Sequence, residues 1–133
     1  MLVTVKRLRN LVASTSTDVS LNGNNIENVA DFKLLGITID QDLSFNRHIE
    51  ELCKWLAKRI GILSHINPYL KRNQRDIYCS TIIKPVMLYG STIWTSCSKE
   101  NLLKVLRLQK RAARSILDAE RTAPSVDLFN TLK

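Results

Sequence analysis

Residues 32–40 read Phe-Lys-Leu-Leu-Gly-Ile-Thr-Ile-Asp, and this stretch decides how the rest of the chain is interpreted. In an extended strand, alternate side chains point to opposite faces, so Leu35, Ile37 and Ile39 fall on one face. Leu34, Gly36 and Thr38 fall on the other face, so that face has no side chain at its centre, at Gly36. A glycine inside a strand costs stability and often marks a bulge or the close approach of a ligand. The pattern therefore predicts one continuous strand with a contact surface at Gly36; a simple bulge without a ligand is the alternative.

A turn signal lies upstream of this stretch. Asn22 and Gly23 both tolerate a positive φ, and Asn-Gly between alternating segments is the strongest short signal for a β-hairpin. Residues 1–16 are apolar and basic and then rich in Ser and Thr, which favours a strand or short helix followed by a loop. Residues 1–40 are therefore predicted to be a β-hairpin region.

Apolar residues recur at helical spacing in the remainder of the chain, residues 41–133. The first predicted helix runs to about Ile66, because Asn67-Pro68 disfavours its continuation. A second helix is predicted from about Asn73. Pro85 is expected to kink or end it, and Gly90 to stop it.

A third helix is predicted after Ser98, which suits an N-cap, and a short last helix follows Pro124. The predicted fold class is thus α+β, with an N-terminal β-hairpin region (residues 1–40) followed by a mainly α-helical bundle (residues 41–133).

The composition favours an anionic partner. The chain has 133 residues, with 20 Lys and Arg against 12 Asp and Glu, for a formal charge of +8. Such an excess favours salt-dependent binding to nucleic acid or another polyanion. No apolar run is long enough for a transmembrane helix, and three separated cysteines without a C-x-x-C pair indicate reduced thiols in an intracellular protein. Buried cysteines explain these thiols better than a zinc site does.

Basic residues form a row on the third helix. Lys104, Arg107, Arg111 and Arg114 recur at spacings of three and four, which places them along one side of the helix. Like charges at this spacing repel one another, and a partner with regular negative charge would remove that cost. Three further candidates lie off the apolar stripe of the first helix: Lys54, Lys58 and Arg59. Contact with nucleic acid is the hypothesis for both sets, and a solvated face or an acidic protein partner is the alternative.

The order of several short motifs resembles a known family. The motif residues are Phe32, Lys33, Leu35, Gly36, Ile37, Asp40, Leu43, Phe45, His48, Ile49, Ile83, Lys84, Pro85, Tyr89, Gly90, Trp94, Leu108, Gln109, Lys110, Arg111, Ala112 and Arg114. In this order, over residues 17–133, the chain resembles the reverse transcriptases (RNA-directed DNA polymerases) of non-LTR, jockey-like retrotransposons. The resemblance implies that Leu35 and Gly36 form a Leu-Gly turn, that this turn and Ile37 belong to the primer grip at the end of the palm, and that the helices form the thumb.

The sequence also departs from that family. The resemblance implies a catalytic Asp-Asp motif that holds Mg²⁺ in the palm, and this chain contains no Asp-Asp pair. It also contains no Gly-rich phosphate loop, nucleophile elbow or H-E-x-x-H motif. The chain is therefore predicted to be a fragment of the polymerase that is not an enzyme on its own, has no catalytic residue and binds no cofactor.

The leading hypothesis is a nucleic-acid-binding fragment that holds an RNA–DNA or DNA template–primer duplex through the primer grip and the basic helices, without contact to a membrane. Two alternatives remain open at this point. One is a helical protein-interaction module, for which a contiguous exposed apolar patch would be the sign. The other is a relic of an element with no function of its own.

Overall fold

The computed structural model describes residues 20–27, 29–120 and 122–132. The strand or helix predicted within residues 1–16 lies outside these ranges. In chain order the elements are β1 (Ser20–Leu21), β2 (Asn24–Asn25), β3 (Asp31–Leu34), β4 (Ile37–Asp40), α1 (Asn46–Ile66), a 3₁₀ turn (Asn67–Tyr69), α2 (Arg72–Tyr78), a π-helical turn (Cys79–Ile83), α3 (Lys84–Leu88), α4 (Ser91–Trp94), α5 (Lys99–Leu117) and α6 (Ser125–Thr131). Two β-hairpins thus precede a mainly helical region, which confirms the predicted α+β class.

The first hairpin forms at the predicted turn. β1 pairs antiparallel with β2, with Leu21 opposite Asn24. The two turn residues, Asn22 and Gly23, have φ values of 52° and 80°. Two positive φ values in a two-residue loop match the right-handed twist of the flanking strands, which explains why Asn-Gly is favoured there.

The second hairpin corrects the prediction of a continuous strand over residues 32–40. β3 pairs antiparallel with β4, and Leu34 lies opposite Ile37. Leu35 and Gly36 form the two-residue turn between them, with φ values of 48° and 83°. The prediction from apolar alternation was wrong, because alternation looks the same in one long strand and in two short strands joined by a two-residue turn, and leucine is rare in such turns. The Leu-Gly turn that the family resemblance implies is confirmed.

A network of hydrogen bonds centred on Asp40 shapes the loop before α1. Its Oδ1 accepts from the backbone N–H groups of Asp42 (3.0 Å) and Ser44 (2.9 Å), and its Oδ2 accepts from the Ser44 hydroxyl (3.0 Å). This loop holds Leu43 and Phe45 at φ values of 52° and 54°, in the left-handed region that non-glycine residues rarely adopt. Asp40 therefore stabilises a strained connection between the hairpin and the helix.

The chain divides into two compact units, Met1–His48 and Ile49–Lys133. The predicted boundary between residues 40 and 41 stays a prediction. In the second unit the apolar stripe of α1 is the centre of the core, since Ile49, Leu56, Ile60 and Leu63 are completely buried. Spacings of three, four and seven place these residues on one face of the helix, as the sequence predicts.

The helical path continues through Pro85, which the sequence predicts to kink or end it. The π-helical turn lies immediately before α3, and the N–H of Lys84 donates to the carbonyl of Cys79, five residues earlier. This wider turn relaxes the hydrogen-bond pattern where proline has no N–H to donate. The predicted stop is confirmed: α3 ends at Leu88, and Gly90 has a φ of 62°.

The third predicted helix is α5. The Ser98 hydroxyl accepts from the N–H of Asn101, which confirms the predicted N-cap. The helix ends at Leu117, and Asp118 follows with a φ of 54°. After a short loop, α6 packs against α5 and buries Leu128.

Candidate nucleic-acid interface

The tip of the second hairpin is apolar and exposed. The side chains of Phe32, Leu34 and Leu35 are 51%, 50% and 80% exposed, whereas Ile37 is buried. The structure therefore brings two of the three predicted grip residues, Leu35 and Gly36, to the surface at the turn. The third, Ile37, is the first residue of β4, and its side chain is buried within the first unit.

The turn at Leu35 uses a residue that is unfavourable at a positive φ, whereas the first hairpin uses a favourable one. The two hairpins have nearly the same turn geometry, but the first uses Asn-Gly and the second uses Leu-Gly. A left-handed conformation costs an L-residue about 1–2 kcal/mol, and asparagine tolerates it better than leucine because its short polar side chain can bond locally. Strained backbone at an exposed apolar tip is the kind of feature that accompanies a binding site.

In the second unit, α1 and α5 run side by side in the same direction. The Ser64 and Ser115 hydroxyls are 3.1 Å apart, and Asn67 Nδ2 donates to Asp118 Oδ1 at 2.9 Å; both pairs are 51 residues apart in sequence. Cys53 and Lys104 have the same separation, and burial raises the pKa of the Cys53 thiol while the charge of Lys104 partly opposes that rise. A constant separation along both helices requires a parallel alignment. We refer to the outer line of contact between α1 and α5 as the seam.

The basic row of α5 borders this seam. Ser115 lies one turn after Arg111 on the same stripe of the helix, and its contact with Ser64 places that stripe beside α1. Arg107 and Arg111 are exposed, and neither forms an ion pair within the described part of the chain. Lys104 is also exposed, and its Nζ donates to Asn101 Oδ1 at 2.9 Å. Three cations therefore face solvent along the seam.

Arg114, the fourth member of the row, has a different environment. It is partly buried, and its Nη2 donates to the carbonyl of Ala123 at 3.1 Å, which ties the loop before α6 to the end of α5. Its Nε is buried without a hydrogen-bond partner among the described residues. The sequence places Arg114 on the row but gives no sign of this second role.

The three cations predicted on α1 separate into two groups. Lys54 and Lys58 are exposed on the side away from the core. The guanidinium of Arg59 lies over the ring of Trp55, one turn earlier, at 5.1 Å from its centroid, and Arg59 is partly buried. This cation–π contact occupies Arg59 within the chain, so that Lys54 and Lys58 are the more accessible pair.

Two small residues that sequence reasoning missed lie on the same stripe of α1 as Ser64. Gly61 and Ala57 precede Ser64 on the same stripe, so small side chains line this part of the seam. A Cβ added to Gly61 would meet no described atom within 4 Å. The only signal in the sequence was a glycine inside a helical pattern, and the pairing across 51 residues has no sequence signature.

Among the described residues there is neither a group of metal ligands nor a helix that could span a membrane. Within residues 20–27, 29–120 and 122–132, no three His, Cys, Asp or Glu side chains are grouped to hold a metal ion. Of the helices described, none is long and apolar enough to cross a membrane. Cys79 and Cys97 are buried as predicted and Cys53 is partly buried; burial raises the pKa of each thiol.

Curated proteins similar to this chain are polymerases of mobile elements. The chain is 30% identical over 120 residues to the RNA-directed DNA polymerase from mobile element jockey of Drosophila melanogaster, over 86% of this chain and 13% of the relative. It is 28% identical over 111 residues to the probable RNA-directed DNA polymerase from transposon BS of the same organism, over 80% and 12%. The jockey polymerase of Drosophila funebris is 29% identical over 105 residues, 76% of this chain and 11% of the relative.

No family model matches the chain, and neither does any solved structure. The chain spans 13% or less of the length of these three relatives, so it corresponds to one segment of each. The match to the jockey polymerase of Drosophila melanogaster covers 86% of the chain and therefore includes both the hairpin tip and the basic row. The resemblance seen in the sequence is thereby confirmed: this chain is related to a segment of the RNA-directed DNA polymerases of jockey and similar non-LTR retrotransposons.

Proposed function

We propose that this chain is a binding segment of a reverse transcriptase that holds a template–primer duplex and leaves nucleotidyl transfer to other parts of the polymerase. The observation that carries the proposal is the exposed basic seam, where Arg107 and Arg111 face solvent without an ion-pair partner among the described residues. Cations held at helical spacing suit the regularly spaced phosphates of a duplex backbone, and such contacts position a duplex without reading its sequence.

The proposed role of the second hairpin is to approach the primer end. Gly36 lets the backbone come close to a nucleotide, because it has no side chain at the turn. Leu35 is 80% exposed and can lie against a base or sugar. Ile37 supports the turn from inside the unit rather than touching the primer.

The experiment is a salt titration of duplex affinity with matched charge variants. Arg107→Gln and Arg111→Gln each remove one cation from the seam and should flatten the plot of log affinity against log salt by roughly one unit for each lost phosphate contact. Lys99→Gln is the control, because it removes the same charge from an exposed position at the start of α5, outside the row. Equal effects of all three variants would indicate general electrostatic attraction and would contradict a specific role for the seam.

A helical protein-interaction module is the second candidate, and one observation favours it. Leu88, Tyr89 and Ile93 are 68%, 55% and 49% exposed around the stop at Gly90. The double variant Leu88→Ser/Ile93→Ser separates the two functions. It should leave duplex affinity unchanged if the seam binds nucleic acid, and it should abolish concentration-dependent self-association, measured by sedimentation velocity, if this surface joins copies of the chain.

A further inference from the structure

A cavity opens where α1 and α5 both end. It has a volume of about 580 Å³ and is lined by Ser64, Asn67, Arg111, Arg114, Ser115 and Asp118. Two arginines and two serines thus line one cavity at the C-terminal end of the seam. Helical spacing places the two arginines on one row but does not predict a cavity.

Several hydrogen-bond donors of this cavity are unused. A guanidinium has five N–H donors. Arg114 uses Nη2 for the carbonyl of Ala123, while its Nε is buried with no partner among the described residues. An unsatisfied buried donor is costly, especially in a charged group. Ser64 donates to the carbonyl of Ile60 at 2.9 Å, so Ser115 is the donor in the 3.1 Å pair with Ser64. Rotation of the Ser115 hydroxyl would exchange this hydrogen bond for one to a ligand.

The carboxylate of Asp118 would oppose an anion, but its charge is matched locally. It accepts from Asn67 Nδ2 at 2.9 Å and lies 3.7 Å from Nη1 of Arg75, which does not line the cavity. The C-terminal ends of the α1 and α5 dipoles contribute about half a negative charge each, which is less than the two positive charges of the arginines. The guanidinium groups of Arg111 and Arg114 therefore leave the cavity with a net positive potential.

We infer that this cavity binds one phosphate group, held by Arg111 and Arg114 with the Ser115 hydroxyl as a further donor. Guanidinium groups bind phosphate oxygens through short, charge-assisted and often bidentate hydrogen bonds. The cavity has room for a sugar attached to the phosphate, so the group can come from a duplex backbone, in which case the site rests on the proposed function, or from a free phosphate or nucleotide.

The first experiment uses inorganic phosphate as the probe and requires no duplex. The ¹⁵N-labelled full chain is titrated with sodium phosphate at constant ionic strength, with sodium chloride as the exchanged salt, and the arginine Nε–Hε resonances are followed by NMR. A saturable shift of the Arg114 resonance is expected. Arg111→Gln should weaken phosphate affinity roughly tenfold or more, the effect of losing one charge-assisted hydrogen bond.

Arg107→Gln is the matched control. It removes the same charge from the same helix, one turn earlier, from a residue that does not line the cavity, and it should leave phosphate affinity within about twofold. Because Arg111 is exposed and forms no ion pair with any described residue, its replacement should not disturb the fold. Ser115→Ala gives a second variant that changes no charge and should also weaken phosphate binding.

The outcomes separate this site from the proposed function. The absence of a saturable shift, or equal weakening by Arg107→Gln and Arg111→Gln, would overturn the phosphate site whether or not the duplex binds. Saturable phosphate binding with duplex affinity unchanged in both variants would support the site and contradict the proposed role of the seam. If the chain binds both phosphate and the duplex, competition at constant ionic strength identifies the source of the bound phosphate group. Inorganic phosphate should weaken duplex binding if the cavity holds a backbone phosphate. It should leave duplex binding unchanged if the cavity holds a separate free phosphate.

Discussion

Leu35→Asn should make the second hairpin more stable and the protein worse at binding a primer end. The substitution gives the turn the Asn-Gly sequence that the first hairpin already has at nearly the same φ values. Relief of the left-handed conformation at Leu35 is worth about 1 kcal/mol, the lower end of its cost for an L-residue.

The loss of apolar contact offsets only part of this gain. Leu35 is 80% exposed, and complete burial of a leucine is worth about 1.5–3 kcal/mol, so its buried fifth contributes roughly 0.3–0.6 kcal/mol. The net stabilisation is therefore about 0.4–0.7 kcal/mol, which corresponds to a roughly two- to threefold smaller equilibrium constant for opening of the hairpin.

Native-state hydrogen exchange of the β3 and β4 amides measures this change without requiring the two units to unfold together. The reverse substitution in the first hairpin, Asn22→Leu, is the matched control and should lower the protection of β1 and β2. Duplex affinity is measured on the same samples, with a recessed primer end and with a blunt duplex. Lower protection of β3 and β4 in Leu35→Asn would refute the reasoning, because it would show that the leucine stabilises the turn.

Three further predictions concern single positions. Asp40→Ala should reduce the free energy of unfolding by about 0.5–2 kcal/mol in urea. Partial burial raises the pKa of Asp40, but hydrogen bonds from Ser44, Phe45 and Asp42 outweigh it and leave the pKa below 3.8. The contribution of Asp40 to stability should therefore be present above about pH 4 and disappear as the pH falls through the lowered pKa. In the variant, the free energy of unfolding should depend less on pH in this range. Ile60→Ala should cost about 2–5 kcal/mol, since the side chain is completely buried, and a loss below 1 kcal/mol would contradict its place in the core. Gly61→Gln should raise the unfolding free energy by up to about 1 kcal/mol and weaken duplex binding, because glutamine favours the helix and projects over the seam; unchanged affinity would remove the seam from the interface.

The sequence predicts those parts of the fold that depend on local spacing. The extent of α1, the cap at Ser98 and the first hairpin follow from helical periodicity, side-chain capping and Asn-Gly turn preference. The second hairpin was mistaken for one strand because Leu35, in the turn, continues the alternation of apolar residues. Here the backbone departs from local preference, which happens most often at functional sites.

The candidate interface is less accessible to sequence reasoning, because it depends on contacts between distant residues. The row of Lys104, Arg107 and Arg111 follows from spacing alone. The parallel pairing that joins Ser64 to Ser115 across 51 residues is a tertiary contact without a local signal, and the cavity at Arg114 depends on it. The stacking of Arg59 on Trp55, by contrast, joins residues four apart on a helix, and such neighbours meet in most helices.

Leu35 and Gly61 each lower the stability of the fold, although the physical causes differ. Leucine at a φ of 48° and glycine inside a helix each lower stability by about 1 kcal/mol relative to a better residue. Leu35 is 80% exposed, and a Cβ on Gly61 would meet no described atom within 4 Å, so internal packing does not require either residue. The two residues lie in different units, one at the apolar hairpin tip and one on the basic seam, and a bound duplex would give both an external role. Each surface therefore needs its own test, in which Leu35→Asn and Gly61→Gln are compared separately with the unchanged chain.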